Sequence, residues 1–163
     1  MQEETEALLQ SYYAAFNAQD TNAMLALLSN NIIHDIGQGR REFGKSAFGR
    51  FMNSMHQCCQ EHIFDIEIMT NEDGSRAAAE FTIIGSYATS GSASLSEPGQ
   101  TFRVPGGTFF EIRNGKIARI SSYYGLQEWL AQIIFTESQT YAEIESDEDP
   151  PDFEILQRKL YLI

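Results

Sequence analysis

The chain has 163 residues, 42% of them hydrophobic, and a formal net charge of −12. That length suits one domain able to bury a sizeable core, and the acidic balance argues against nucleic acid or an anionic membrane surface as a partner. No apolar run approaches a membrane span, and the acidic opening MQEETEALLQ lacks the basic start of a signal peptide, so a cytoplasmic location is expected.

Leu8, Tyr12 and Phe16 recur every four residues, with Leu9 and Tyr13 beside them, and predict a helix over 3–17. Asp20 or Thr21 can cap a second, short helix over 22–28. A strand is expected over 31–36, followed by the glycine-broken basic loop GQGRR. Phe48, Phe51, Met52 and Met55 stand at i, i+3, i+4 and i+7, which predicts an amphipathic helix over 46–58. The period then changes to two: Phe64, Ile66 and Ile68 alternate with Asp65 and Glu67. The turn NEDG leads to a long strand over 76–88, and the small polar loop TSGSASLSEPG to another over 101–113, interrupted by Pro105-Gly106-Gly107. Asn114-Gly115 signals a two-residue hairpin, with a last strand over 116–124 and a helix over 126–134. Strands clustered after helices indicate an α+β fold. Residues 1–135 form the expected domain. Residues 136–163 hold eight acids and two bases, half of the negative excess, and read as an acidic tail with a short terminal helix in FEILQRKLYLI.

Asp35 is the first candidate for chemistry. Alternation puts it on the same strand face as Ile33, with His34 on the other. If Ile33 faces a pocket, Asp35 is a desolvated carboxylate with a raised pKa, able to act as a general base. If not, it anchors the GQG loop by hydrogen bonds. His34 can orient Asp35, relay protons or simply pack. HQCCQEH offers two His and two Cys, but four donors within seven residues cannot readily wrap one ion tetrahedrally. A vicinal disulfide between Cys58 and Cys59 would be strained, so both thiols are expected reduced. GQGRR has neither the spacing nor the terminal Lys-Ser/Thr of a phosphate loop. No metal and no cofactor are expected.

The stretch YYAAFNAQDTNAMLALLSNNIIHDIGQGRREFGKSAFGRF resembles the opening of a SnoaL-like domain of the nuclear transport factor 2-like superfamily, and GGTFFEIRNGKIARISSYYGLQEWL resembles its closing hairpin and helix. The group it is most similar to is the ketosteroid-isomerase-related one, over about residues 3–135. The resemblance implies three helices packed into a cone-shaped, curved antiparallel sheet around an apolar pocket, with an isomerase or cyclase moving a proton beside a carbonyl. By motif Asp35 matches the family's base, and Tyr12, eight residues before Asp20, its oxyanion tyrosine. Counting back from the Gly115 turn, the second oxyanion acid falls at Gly107, which has no side-chain donor. The same count directs Phe109, Ile120, Ser122 and Tyr124 to the pocket, with His34 beside them. A small apolar ligand and a homodimer are the implied partners, the latter because TFFEIR and KIARISSYY are apolar on both faces. The same fold implies two alternatives: a non-catalytic binding or dimerisation module, and an epoxide-hydrolase-like hydrolase, whose Asp-Arg-Asp set has no place along this sequence.

Overall fold

The computed structural model describes residues 1–37, 40–87, 99–125 and 132. Three helices, α1 (Gln2–Asn17), α2 (Thr21–Leu27) and α3 (Lys45–Cys58), accompany six strands: β1 (Leu28–Ile36), β2 (Arg40–Phe43), β3 (Cys59–Thr70), β4 (Arg76–Tyr87), β5 (Thr101–Arg113) and β6 (Lys116–Tyr124). The strands form one curved, unclosed sheet in the order β2-β1-β6-β5-β4-β3. The pair β1–β6 is parallel and the other neighbours are antiparallel, so the α+β sheet is mixed. The helix expected over 126–134 and the acidic tail lie outside the described residues apart from Gln132, which exchanges hydrogen bonds of 2.7 and 2.8 Å with the backbone of Arg103. Among the described residues no helix is long and apolar enough to cross a membrane.

Local signals account for most element ends. The Asp20 carboxylate accepts from Ala23 N at 2.9 Å and caps α2. Asn114 and Gly115 both adopt positive φ, 52° and 68°, as the tight hairpin requires. Pro105-Gly106-Gly107 does not interrupt β5, because Phe81 and Tyr124 flank Gly106 on the neighbouring strands and pairing continues through it. Arg40–Phe43, expected as loop, pairs with the end of β1 instead.

The concave face of the sheet receives α1 and α3, and its core includes Leu9, Met24, Ile32, Phe48, Phe110, Ile117 and Ile120. Each such fully buried side chain is worth about 1.5–3 kcal/mol relative to exposure. Two irregularities set which residues face that core. Asp65, at φ 52°, marks a break in the β3–β4 register between Phe64 and Glu67, so Ile63 turns inward while Phe64 is 44% exposed. This corrects the simple alternation expected from Phe64 onward. A second bulge puts one extra residue of β6 between the pairs Ile112–Ile117 and Glu111–Arg119.

Close approach accounts for one glycine. At Gly85 a Cβ would fall 2.3 Å from the Phe102 ring, which is itself buried. Gly85→Ala is therefore expected to destabilise the fold by about 1–3 kcal/mol through overpacking, read as a lower urea midpoint with an unchanged slope.

Candidate functional site

The β6 bulge decides the polarity of the site. Without it, Phe109 would oppose Ile120; with it, Phe110 does, and Thr108 opposes Ser122. Phe110, Thr108, Ile120, Ser122 and Tyr124 thus share the concave face, and Phe109, Gly107, Ser121 and Tyr123 the outer one. Phe109 was expected at the pocket. It is instead 58% exposed and packs edge-to-face on Tyr123, with centroids 5.9 Å apart. Gly107, where a second acid was sought, also points outward, and the concave position beside it is held by Thr108.

Asp35 requires the main correction. It does share a face with Ile33, but the core side of β1 belongs to Ile32 and His34. On the outer face Asp35 Oδ2 accepts from Arg119 Nε at 2.8 Å and from Ser121 Oγ at 2.6 Å, while Oδ1 accepts from Arg41 Nε. The Arg41 bond, reinforced by Ser121 and Arg119 against an opposing effect of burial, holds the carboxyl well below the usual carboxylate range. It is not the raised-pKa base anticipated. Arg119 reaches on to Glu111 at 3.4 Å, and Glu111 also pairs with Arg76 and Arg113. An acid–arginine–acid run does exist, then, as Asp35–Arg119–Glu111, but on the outer face and saturated by ion pairs.

The concave face carries a different set of groups. Tyr12 is buried, its ring edge-on to Tyr13 and Phe110 at 5.5 and 5.9 Å. Burial, with Tyr13 nearby, pushes its phenol far above the ordinary range, and burial does the same to Tyr13. The Thr108 hydroxyl is near enough to Tyr13 to oppose this slightly, yet Tyr13 Oη makes no hydrogen bond of normal length among the described residues. Thr108 Oγ1 and Ser122 Oγ lie 3.1 Å apart. Ile120 is core beneath them. These phenols remain protonated at any physiological pH and are donors.

His34 sits between Phe48 and Phe51 of α3, with ring centroids 5.0 and 4.8 Å away. Burial lowers its pKa to about 4 against the opposing pull of Asp35, and Nδ1 has no hydrogen-bond partner among the described residues. Its cross-strand neighbour Glu42 shares the concave face; one carboxylate oxygen pairs with Arg40 at 2.9 Å and the other, Oε2, is buried and has no partner among the described residues. Buried polar atoms left without partners among the described residues, here on two paired residues, call for a ligand or water.

Sequence reasoning passed over Glu61. It follows Cys59 and precedes Ile63 in the inward phase of β3, and burial pushes its carboxyl up to about 7. The signal was an acid in phase with an apolar position, hidden by the bulge that follows. Tyr124 lies at the same end; although it is 41% exposed, a Cβ on Gly37 would lie 3.7 Å from its hydroxyl, and burial together with the Glu61 charge raises its pKa. An open groove of about 340 Å³ between α1 and β3 shares Tyr13 with this face but none of its other groups. Among the described residues no cluster of three His, Cys, Asp or Glu side chains is placed to hold a metal ion.

The model of the SnoaL-like domain family matches residues 9–120. A candidate polyketide cyclase from Pseudomonas putida KT2440 is 51% identical, with a TM-score of 0.73 over 77% of this chain and 94% of its own. Another, from Xanthomonas campestris pv. campestris, is 42% identical, with a TM-score of 0.78 over 81% of this chain and 98% of its own. An LEH-like epoxide hydrolase from M. tuberculosis shares 12% identity, with a TM-score of 0.68 over 88% of this chain and 98% of its own, a likeness of fold. No curated protein matches.

The ion pairs of Asp35 have a stability consequence opposite to that of a desolvated base. Its lowered folded pKa adds stability that is present above the unfolded value near 3.8 and lost as pH falls below it. Asp35→Asn, which leaves Arg119 and Arg41 without their shared acceptor, is expected to cost about 1–3 kcal/mol at neutral pH. In urea melts that difference should shrink as the pH is taken below about 3; a variant as stable as wild type at neutral pH would contradict the ion-pair role.

Proposed function

The chain belongs to the SnoaL-like domain family, and from that premise we propose that it is an isomerase- or cyclase-type enzyme that moves a proton beside a carbonyl of a small, apolar, polycyclic ligand held on the concave face. The observation that carries this is that His34 Nδ1 and Glu42 Oε2 are buried without partners among the described residues, on the side of the sheet where the hydroxyls of Tyr13, Thr108 and Ser122 also lie. The names of the relatives at 42% and 51% identity support the cyclase class.

In this mechanism neutral His34 takes the proton from the carbon next to the carbonyl, the C–H electron pair becomes a carbon–carbon double bond as the carbonyl π pair moves to oxygen, and the hydroxyl donors of the concave face stabilise the enolate. Return of the proton to another carbon completes an isomerisation. Attack of the enolate carbon on a second carbonyl, with protonation of the resulting alkoxide, completes a ring closure. Base and donors all come from this chain's own side chains. Tyr12 shapes the pocket wall, and Asp35 holds β1, β2 and β6 in register from behind. The working unit we propose is a cytoplasmic homodimer joined through the outer face, where Phe109 and Tyr123 are 58% and 51% exposed.

Deuterium uptake by α-tetralone, followed by NMR, tests the chemistry. Wild type should accelerate exchange at the carbon beside the carbonyl, and His34→Gln should lose about 100-fold or more. Asp35→Asn should stay within about threefold where it is folded, because it lies outside the pocket. Loss in Asp35→Asn with full activity in His34→Gln would restore the strand-end aspartate as base; binding without exchange in wild type would favour a non-catalytic module. Separately, Phe109→Glu should convert a dimer to a monomer by light scattering, and a monomeric wild type would remove the dimer from the proposal.

A further inference from the structure

We infer that Glu61 is a second proton-transfer residue of this pocket, giving its proton to the oxygen of a bound enolate or alkoxide with Tyr124 beside it. The inference rests on the carbonyl-pocket reading above and adds the group that reading lacks. His34 can remove a proton from carbon, but ring closure also needs an acid for the new alkoxide.

The position of Glu61 follows from β3. Cys59, Glu61 and Ile63 share the concave face, and Ile63 is buried. Asn17, at the end of α1, fixes this part of the edge strand by clamping both backbone groups of Ile63, donating to its carbonyl at 2.9 Å and accepting from its N–H at 2.8 Å. Across the ladder Glu61 meets Gly85, which offers no side chain, and the ring of Phe102 closes over that glycine. The Glu61 carboxylate has the Cys59 thiol at 3.9 Å, a weak donor. The titratable groups facing it are Cys59 on its own strand, Cys58 from α3 next to that thiol, and Tyr124 from β6. Among the described residues no Arg, Lys or His forms an ion pair with it. A carboxyl sheltered in this way costs stability unless it serves a purpose, and it contrasts with Asp35, which two arginines keep ionised and useless as a donor.

Burial holds the Glu61 carboxyl at about 7, so both proton states are populated near neutrality, the condition under which one group can donate and be recharged. In the step proposed, the O–H bond of Glu61 breaks as a new O–H bond forms on the substrate oxygen, and the carboxylate then recovers a proton from solvent. The neighbouring groups are silent in this window: burial pushes the Cys59 thiol and the Tyr124 phenol up, and His34 stays neutral above about 4.

α-Tetralone, a bicyclic ketone whose oxygen can only accept a hydrogen bond, is the probe. Calorimetry gives its affinity between about pH 5 and 8, where protonated Glu61 donates to that oxygen and ionised Glu61 has no proton to donate. Wild-type affinity should fall about tenfold or more across the range, and Glu61→Gln should vary by less than about twofold. A flat wild-type profile with binding intact, or an equally steep one in Glu61→Gln, overturns Glu61 and leaves the pocket standing. Failure of α-tetralone to bind overturns the pocket reading and this inference with it. Should Glu61→Gln not fold, carbon-13 titration of the wild-type Glu carboxyls decides alone: a Glu61 midpoint near 7 supports the assignment, and one below about 5 overturns it.

Discussion

The register of the β5–β6 hairpin governs both faces of the sheet. The turn at Asn114-Gly115 would by itself pair Phe109 with Ile120. The extra residue near Ile117 and Ala118, both buried, moves the pairing to Phe110–Ile120. Because side chains alternate with a period of two, one residue exchanges every position between core and outside. Thr108 and Ser122 meet on the concave face through that shift, and Arg119 and Ser121 are delivered to the outer face where Asp35 waits.

The outer face then becomes a row of compensated charge running through β2, β1, β6, β5 and β4: Arg41, Asp35, Arg119, Glu111 and Arg76. Asp35, Arg119 and Glu111 are partly sheltered, Arg41 and Arg76 at the two ends are exposed, and each carboxylate has more than one cationic neighbour. Removing one member leaves charges without partners, which is why the row resists piecemeal change more than isolated surface pairs do. Its position also matters for β1. Asp35 ties together two strands on either side, one antiparallel and one parallel, at the point where β1 resumes pairing after its irregular stretch between Leu28 and Ile33.

The concave face shows the opposite electrostatic logic. Among the described residues no cation pairs with Glu61, so burial raises its carboxyl, and burial lowers the His34 imidazole. In the function we propose, these two groups, driven in opposite directions by burial, serve as neutral base and protonated acid. The sign for folding differs between them. His34 subtracts stability as pH falls from its unfolded value near 6.5 towards about 4, and Glu61 as pH rises from near 4.5 towards about 7. Both groups thus subtract stability at one end of the pH range, and both lie on the concave face.

Much of the fold was legible in the chain. The period-four pattern of α1, the Asp20 cap, the amphipathic α3, the Asn114-Gly115 turn and the bounds of β5 and β6 are local, and local chemistry sets them. The SnoaL-like resemblance rested on the same segments. What sequence could not decide was phase. Ile32 and Ile33 are both apolar, so alternation fits β1 with either Asp35 or His34 inward; only packing against Phe48 and Phe51 of α3 selects His34. The bulges at Asp65 and beside Ala118 have no fixed residue signature, and each reverses the faces beyond it, which moved Phe109 outward and hid Glu61. The composition of each strand belongs to the sequence, but which half of that composition faces inward is a tertiary decision, because register is set by partners distant in the chain.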